Sequence, residues 1–403
     1  MTPLQTQCVI TGGGPAGIVL GYILARAGIE VTVLEKWPDF FRDFRGDTIH
    51  SSTMAILREL GLIDEFLKLP HSEMETMTLH IGGEPVTIAD FRKIDAREKF
   101  IAFVPQWDFL NFLSEKAKQF PTFHLLMETE ATDVVREAGR VVGVRAKKGS
   151  EEYEIRAQLV VGADGRHSTV REKAGFEIEN KGVPIDVLWF RVGLKGKDEK
   201  RSLAYADDGR ALVMLDRHDF WQCAYIIKKD TFKDWQVKGL AAFKESIAQI
   251  APTDSISLDE IDSWDKVKLL SVTVDHAKEW AQDGIVLIGD AAHAMSPLGG
   301  VGINYAIHDA VAAANILVPA LRAGDTSLAT LHKIQARRGG PVKKMQTIQV
   351  RMQDHVLSPL LNTHGHMHVP FILKLFRWFP ALQKYPARMI GYGFQPEHIE
   401  VEF

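Results

Sequence analysis

The feature that most constrains this chain is its start, Val9-Ile10-Thr11-Gly12-Gly13-Gly14-Pro15-Ala16-Gly17, where a short apolar run breaks into glycines. The pattern predicts a buried strand, a tight turn and a helix that begins at once. Gly12 suits the turn, Gly14 lets a pyrophosphate approach the backbone, and Gly17 lets helix and strand pack closely. The unpaired N–H groups and positive end of such a helix suit phosphate. The helix should run through Leu20, Ile23 and Leu24 and stop at Gly28. A second strand over residues 30–35 then ends on Glu35, 18 residues past Gly17, where a ribose-binding carboxylate belongs. A glycine turn alone is common; strand, helix, second strand and acid together predict a dinucleotide site.

The 403 residues leave room for two or three domains and a large core. A net charge of −4, with no basic block, argues against a polyanion-binding protein and against nucleic acid as a partner. Cys8 and Cys223 lie in apolar strand-like runs and read as buried thiols of a reducing cytoplasm rather than a disulfide. Ile10 leads straight into the glycine turn, so the N-terminus reads as a fold element and not a signal peptide. No uninterrupted apolar run is long enough to span a bilayer.

Further along, Met54, Leu57, Leu60 and Leu62 repeat near helical spacing, with Gly61 near the helix end. Residues 77–81 and 85–88 around Gly82-Gly83 read as a hairpin. Gln106 opens a helix through Leu110, Leu113 and Ala117. Strands follow at 132–136, 141–146 and 153–155. Residues 157–165 form a buried strand running into Gly162-Ala163-Asp164-Gly165, and residues 284–290 repeat that pattern. Residues 185–194 and 211–228 alternate like a half-buried antiparallel sheet, with a helix near 238–250. The last 85 residues read as helices broken at Gly339-Gly340-Pro341, Pro359, Pro370 and Pro380. Three strand-to-glycine crevices therefore enclose two antiparallel segments. The economical architecture is α/β: a doubly wound domain from residues 1–75, 100–180 and 270–320, an inserted sheet domain from 76–99 and 181–269 covering its crevice, and a helical segment 321–403.

Three separated motifs resemble one family. They are residues 12–17 with Glu35; Gly162-Ala163-Asp164-Gly165-Arg166-His167-Ser168; and Gly289-Asp290-Ala291-Ala292-His293 continuing through Pro297-Leu298-Gly299-Gly300-Val301-Gly302-Ile303-Asn304. In this order they resemble the group A flavoprotein monooxygenases typified by para-hydroxybenzoate hydroxylase. The resemblance implies a GR2-type, Rossmann-like domain that binds FAD non-covalently. It implies that Gly12, Gly14, Pro15, Ala16 and Gly17 lie at the pyrophosphate and that Glu35, with its neighbour Lys36, lies at the adenosine ribose. Arg45, in the loop Arg45-Gly46, would lie along the FAD, Gln106 would reach the ribityl chain, and Ala131 would lie against the adenine. Asp164 would sit near the pyrophosphate and also matter for the nicotinamide coenzyme, and Asp290 would bond a ribityl hydroxyl. Pro297, Gly299, Gly300, Val301, Gly302 and Ile303 would line the flavin, although the family often has a polar residue where Val301 stands. His293 looks catalytic, but the motif favours a structural, hydrogen-bonded histidine.

The chemistry implied is reduction of FAD by NADPH or NADH, uptake of O2, a flavin hydroperoxide, and oxygen transfer to a phenol-like or polycyclic aromatic. Only one strand–glycine–helix unit is present, so the nicotinamide coenzyme would bind transiently. Candidate substrate contacts on the covering sheet are Trp189, Arg191, Gln222 and Tyr225, alongside Trp221 and Cys223. Only one parity of each strand can face the crevice, and the sequence leaves that parity open. It identifies no catalytic base, expects no metal, and is compatible with a monomer or a homodimer. A same-fold reductase, dehydrogenase or halogenase is an alternative, although the halogenase Trp-x-Trp-x-Ile-Pro signature is absent. An NAD-binding dehydrogenase or a non-catalytic dinucleotide sensor would explain residues 7–35 alone. The aromatic stretch Phe371–Phe379 could lie on a membrane surface; packing against the flavin domain is the expected arrangement.

Overall fold

The computed structural model describes residues 4–41, 47–195, 204–217, 220–251 and 256–403. Arg45, with Gly46, lies outside the described residues. The first strand, β1 (Leu4–Thr11), feeds helix α1 (Pro15–Arg26). Pro15 opens that helix, where its fixed φ and missing N–H carry no penalty. Strand β2 (Val31–Leu34) follows. After an excursion the chain adds α2 (Gln106–Ala117), β3 (Phe123–Leu126), β4 (Glu151–Gly162) and β5 (Ile285–Leu287). The resulting sheet has the order β5-β4-β1-β2-β3, with every one of these neighbours parallel. The chain departs from β1 towards β2 on one side, while β4 and β5 are added on the other. The reversal leaves a crevice at the C-terminal ends of β1 and β4, the place where open α/β sheets bind ligands. Helices α3 (Gly302–Ala323) and α4 (Leu328–Met352) close the C-terminal side, α3 packing on α1. Ile10, Ile18, Leu20, Ile23, Ala310 and Leu317 are buried in the core between sheet and helices.

A second sheet has the strand order Ile256–Ser257, Ile185–Leu194, Phe220–Lys228, Arg210–Asp216, Ala204–Asp207, Thr76–Ile81 and Glu84–Asp90. Its neighbours are antiparallel except at Ala204–Asp207 against Thr76–Ile81, which run parallel and join the two distant segments. The register settles the parity. Leu188, Phe190, Leu212, Trp221, Cys223 and Tyr225 pack on Phe243 and Ile247 of the helix Leu240–Ala248. Trp189, Arg191, Gln222 and Ala224 therefore share the opposite face, Arg191 standing across from Gln222 and Trp189 across from Ala224. Tyr225 and Gln222 are three residues apart and cannot share a face. The Tyr225 hydroxyl lies 2.6 Å from Ser246 Oγ and its ring packs edge-on against Trp235 and Phe243. Its expected place among the substrate contacts is thus corrected.

Two further expectations are revised, and the span that passes a composition test for a membrane helix proves to be buried. The strand expected at 153–155 and the strand of the 157–165 stretch are one 12-residue strand, β4. Helix α4 runs unbroken through Gly339-Gly340-Pro341. Proline there forfeits one hydrogen bond, but Arg338, Val342 and Met345 are buried on that stretch and hold the helix by packing and ion pairs. The span Leu298–Ala323 is long and apolar enough by composition to cross a bilayer, yet 83% of its apolar window is buried inside the protein. It is a core helix.

Two buried histidines tie the C-terminal tail to this core. The Glu397 N–H donates to His308 Nδ1 (2.9 Å), so the neutral ring carries its proton on Nε2 and donates to Ser52 Oγ (3.0 Å). His50 Nδ1 bonds the Ile390 carbonyl at 2.7 Å. Burial pushes His50 down to about 4 and His308 down to about 3, from 6.5. Both are neutral when folded and protonate on unfolding, so stability falls as pH drops below 6.5, continuing to about 4 for His50 and about 3 for His308. We expect denaturant titrations between pH 7 and 5 to show a loss of roughly 1 kcal/mol per group per pH unit once below 6.5. A His308→Gln variant should show a shallower slope; an unchanged slope would remove His308 from this account.

Candidate active site

The crevice is built from backbone that leaves no room for side chains on one side and open space on the other. Gly12 has φ +103°, and a Cβ there would stand 2.4 Å from the Ala163 carbonyl oxygen, so the turns after β1 and β4 touch backbone to backbone. A Cβ at Gly17 would lie 2.0 Å from the Gly12 oxygen. Among the described residues, a Cβ at Gly14 would meet nothing within 4 Å and no side chain caps α1. A cradle for phosphate therefore opens at Gly14, facing free helical N–H groups. Buried Glu35 closes one end, its carboxylate accepting the N–H groups of Gly13 and Trp37, each at 3.1 Å. Lys36 is exposed, its Nζ 5.5 Å from the centre of the Trp37 ring. Ala131 packs with Leu34, the last residue of β2.

Asp164 is occupied within its own motif. It accepts hydrogen bonds from Ser168 Oγ (2.5 Å), Thr169 N (2.8 Å) and Val170 N (3.3 Å), and so fastens the start of the helix Thr169–Ala174. Burial pushes its carboxyl up, and these hydrogen bonds oppose the shift. What Asp164 brings to the crevice is backbone: a Gly12 Cβ would come within 2.7 Å of its Cα.

The Gly289–Ala291 turn follows β5 and is wedged between two helix starts. A Cβ at Gly289 would lie 3.2 Å from Ala16 of α1 and 3.3 Å from Ala306 of α3. Asp309 holds the turn from below, accepting the Gly289 N–H (3.1 Å) and lying 2.5 Å from His293 Nε2. His293 is buried on the Trp280 ring and bonded to Asp309, as a structural histidine would be. Asp290 projects on the other side with its side chain 35% exposed, 3.9 Å from Arg166. Beyond it, Pro297, Gly299 and Gly300 are partly exposed in a tight loop at the uncapped start of α3, and Gly302 has open space around it. Val301 and Ile303 are buried, Val301 in the cluster that contains Tyr305. Thr48 and Asn304 clip this loop. Thr48 Oγ1 donates to the Gly300 oxygen (2.7 Å), and Asn304 bridges the Thr48 oxygen (2.9 Å), His50 N (2.9 Å) and Thr53 Oγ1 (2.7 Å).

The covering sheet meets the crevice through a buried ion pair. Asp47 Oδ1 accepts the Gln106 N–H at 3.2 Å, while Asp47 Oδ2 pairs with Arg217. Arg217 Nε in turn donates to Gln222 Oε1 (3.0 Å). Both charged side chains are 6% exposed. Burial pushes Asp47 up to about 6 even though Arg217 opposes it, and the same burial lowers Arg217. Arg217 Nη1 has no partner among the described residues. On the same sheet face Arg191 stacks 3.7 Å from the centre of the Phe220 ring.

The sequence pattern of a family described as an FAD binding domain matches residues 5–344. A 6-methylpretetramide 4-monooxygenase of Streptomyces rimosus is 32% identical over 88% of this chain and 85% of its own. The chain belongs to the para-hydroxybenzoate hydroxylase type of FAD-dependent monooxygenases. A para-nitrophenol 4-monooxygenase of Pseudomonas sp. WBC-3 is 24% identical over 78% of both chains. The crystal structure of p-nitrophenol 4-monooxygenase from Pseudomonas putida shares the fold, with TM-score 0.79, 19% identity, and coverage of 96% of this chain and 98% of that one.

Membership of this flavoenzyme family excludes a plain NAD-binding fold, which would leave residues 36–344 unexplained. The residues present fit FAD: the cradle at Gly14 is open, and two uncapped helix starts adjoin the Gly289 turn. Asp47, Thr48, Asn304 and Arg217 are the members that sequence reasoning missed as site residues. Asp47 and Thr48 directly follow Arg45-Gly46, and Asn304 ends the third motif. Arg217 carried no signal, because its partner lies 170 residues away.

Proposed function

We propose that the enzyme uses NADPH or NADH and O2 to place one oxygen atom on an aromatic, phenol-like or polycyclic small molecule. The observation that carries this reading is the convergence of the α1 and α3 starts on the Gly289 turn, beside a covering sheet fastened by Arg217–Asp47. Relatives named for 6-methylpretetramide and para-nitrophenol support the substrate class.

Gly12, Gly14, Pro15, Ala16 and Gly17 would hold the FAD pyrophosphate, with Glu35, Lys36 and Ala131 toward the adenosine. Gln106, Asp290 and the loop Pro297–Ile303 would hold the ribityl chain and ring. Bound there, FAD supplies hydride acceptance and oxygen activation. The chain supplies the rest. The α3 start offers N–H groups and positive potential to developing negative charge. The covering sheet excludes water, and its Trp189, Arg191 and Gln222 face is where a flat ligand would contact protein. Asp47 and Arg217 act as positioning residues: the carboxylate holds the guanidinium fork so that Nη1 can meet a substrate oxygen. Two unpaired, buried thiols suit a cytoplasmic enzyme.

The test is aerobic NADPH and NADH oxidation by FAD-loaded protein with phenols and polycyclic aromatics, products read by mass spectrometry. Substrate-stimulated oxidation with one oxygen atom added to the product is expected; flavin reduced by neither coenzyme would sink the reading. Asp47→Asn should lower kcat/KM about tenfold through loss of a buried charge-assisted bond. Because Asp47 takes up a proton below about 6, the parent's rate should fall on the acid side there, and the variant should lack that limb. A variant that kept the limb would show that another group titrates.

A further inference from the structure

The helix Phe371–Trp378 is turned inside out relative to a helix that packs on a core. At 100° per residue, Phe371, Ile372, Leu375, Trp378 and Phe379 form one stripe. Four of these, Phe371, Ile372, Trp378 and Phe379, are between 55% and 69% exposed, and Phe371 meets Trp378 ring to ring at 5.7 Å. The opposite side is anchored on the covering sheet, not on the flavin-binding layer where packing was expected. Leu373 packs with Ile81, Val86 and Val369. Gln383 Nε2 donates to the Phe376 oxygen (3.2 Å) and the Thr87 oxygen (3.1 Å), and Lys93 Nζ donates to the Pro380 oxygen (3.0 Å). These bonds hold the helix with its apolar stripe outward. The next helix, Lys384–Tyr392, buries Ala387 and Gly391 and exposes Lys384, Tyr385 and Arg388.

Charge decides what covers this stripe. No aspartate or glutamate occurs between Asp354 and Glu397, while Lys374, Arg377, Lys384 and Arg388 do, in a chain of net charge −4. Among the described residues, Arg377 is the one of these four in an ion pair, with Glu84 at 3.4 Å. A two-fold dimer would set the same patch against itself and bring Lys374, Lys384 and Arg388 together with their copies, with Glu84 already paired to Arg377. Exposed Trp, Tyr and Phe on two successive helices that also carry lysine and arginine suit the boundary between acyl chains and anionic headgroups. We propose that this face docks the enzyme on an anionic lipid bilayer, the stripe entering the headgroup boundary and Lys374, Lys384 and Arg388 meeting lipid phosphates. The proposal is independent of which substrate the enzyme oxidises.

Flotation of the FAD-loaded protein with phosphatidylcholine vesicles, with and without phosphatidylglycerol, tests it. Binding is expected chiefly to the anionic vesicles and should weaken as salt rises. Phe371→Ser with Trp378→Ser should lower partitioning more than about tenfold, and Lys374→Glu with Lys384→Glu about fivefold per charge. FAD content and thermal midpoint should be unchanged, because the replaced side chains are at the surface. Failure to float with either vesicle would overturn the proposal, as would variants that bind like the parent. A concentration-dependent dimer dissolved by the Phe371→Ser, Trp378→Ser pair would assign the stripe to a second copy instead.

Discussion

Replacing Arg338 with methionine is expected to cost about 3–5 kcal/mol of stability and to release FAD before the protein unfolds. Arg338 is 1% exposed and stands between two buried carboxylates: its Nε is 2.9 Å from Asp309 and its Nη1 is 3.4 Å from Glu397. Burial alone would push Asp309 up; His293 and Arg338 together hold it below the usual carboxylate range. Without the guanidinium, Asp309 keeps only the hydrogen bonds of His293 and the Gly289 N–H among the described residues. Because Asp309 holds the Gly289 N–H, a change at Arg338, 29 residues from Asp309, loosens the turn that presents Asp290. Arg338→Lys should rescue little, because one ammonium cannot reproduce the fork. Arg338→Met combined with Asp309→Asn should recover part of the loss by removing the stranded charge. Urea titration followed by flavin fluorescence and circular dichroism separates the two events, and a variant melting like its parent would refute the role given to this network. Its acid limit is also distinct. A lowered carboxyl stabilises above its ordinary value and loses that contribution only as pH falls through the lowered one. Losses nearer neutrality come from the histidines that burial shifts down, His50 and His308 with the largest shifts and His80 and His276 in the same direction.

The second large effect contrasts two glycines three positions apart. Gly17→Ala puts a Cβ 2.0 Å from the Gly12 carbonyl oxygen, a backbone atom that cannot yield without moving β1 from α1. We expect little folded, yellow protein. Gly14→Ala meets nothing within 4 Å, so the fold and its melting temperature should survive. The methyl group then occupies the space where a pyrophosphate would approach, and FAD affinity should fall on the order of 100-fold. Fluorescence titration of apo-protein with FAD reads this directly. Parent-like affinity in Gly14→Ala would mean that Gly14 does not face the pyrophosphate.

The contrast also shows what kind of information the sequence carries. β1, the glycine turn, α1 and the strand ending at Glu35 were legible because one stretch holds the buried run, the turn residues and the helix signals together. The loop after Asp290 was legible for the same reason. The parity of the covering strands was not, since alternation defines two faces without saying which is inward; only pairing across the sheet separates Tyr225 from Gln222. Asp47 and Arg217 form a pair closed by the tertiary fold, and neither residue is distinctive in its own neighbourhood. The break expected at Pro341 failed for a related reason. Local propensity argued for an interruption, and the buried ion pairs of Arg338 outweighed it.

The single parallel pairing in the covering sheet also sets the order in which the molecule can be built. The hairpin Thr76–Asp90 leaves the ribosome long before its partner strand Ala204–Asp207. Until that strand arrives, Thr76–Ile81 presents an open edge to any other strand in reach. Closing so long a loop is slow relative to forming local turns. Premature termination or proteolysis ahead of residue 204 would therefore leave that edge without its partner strand and open to other chains.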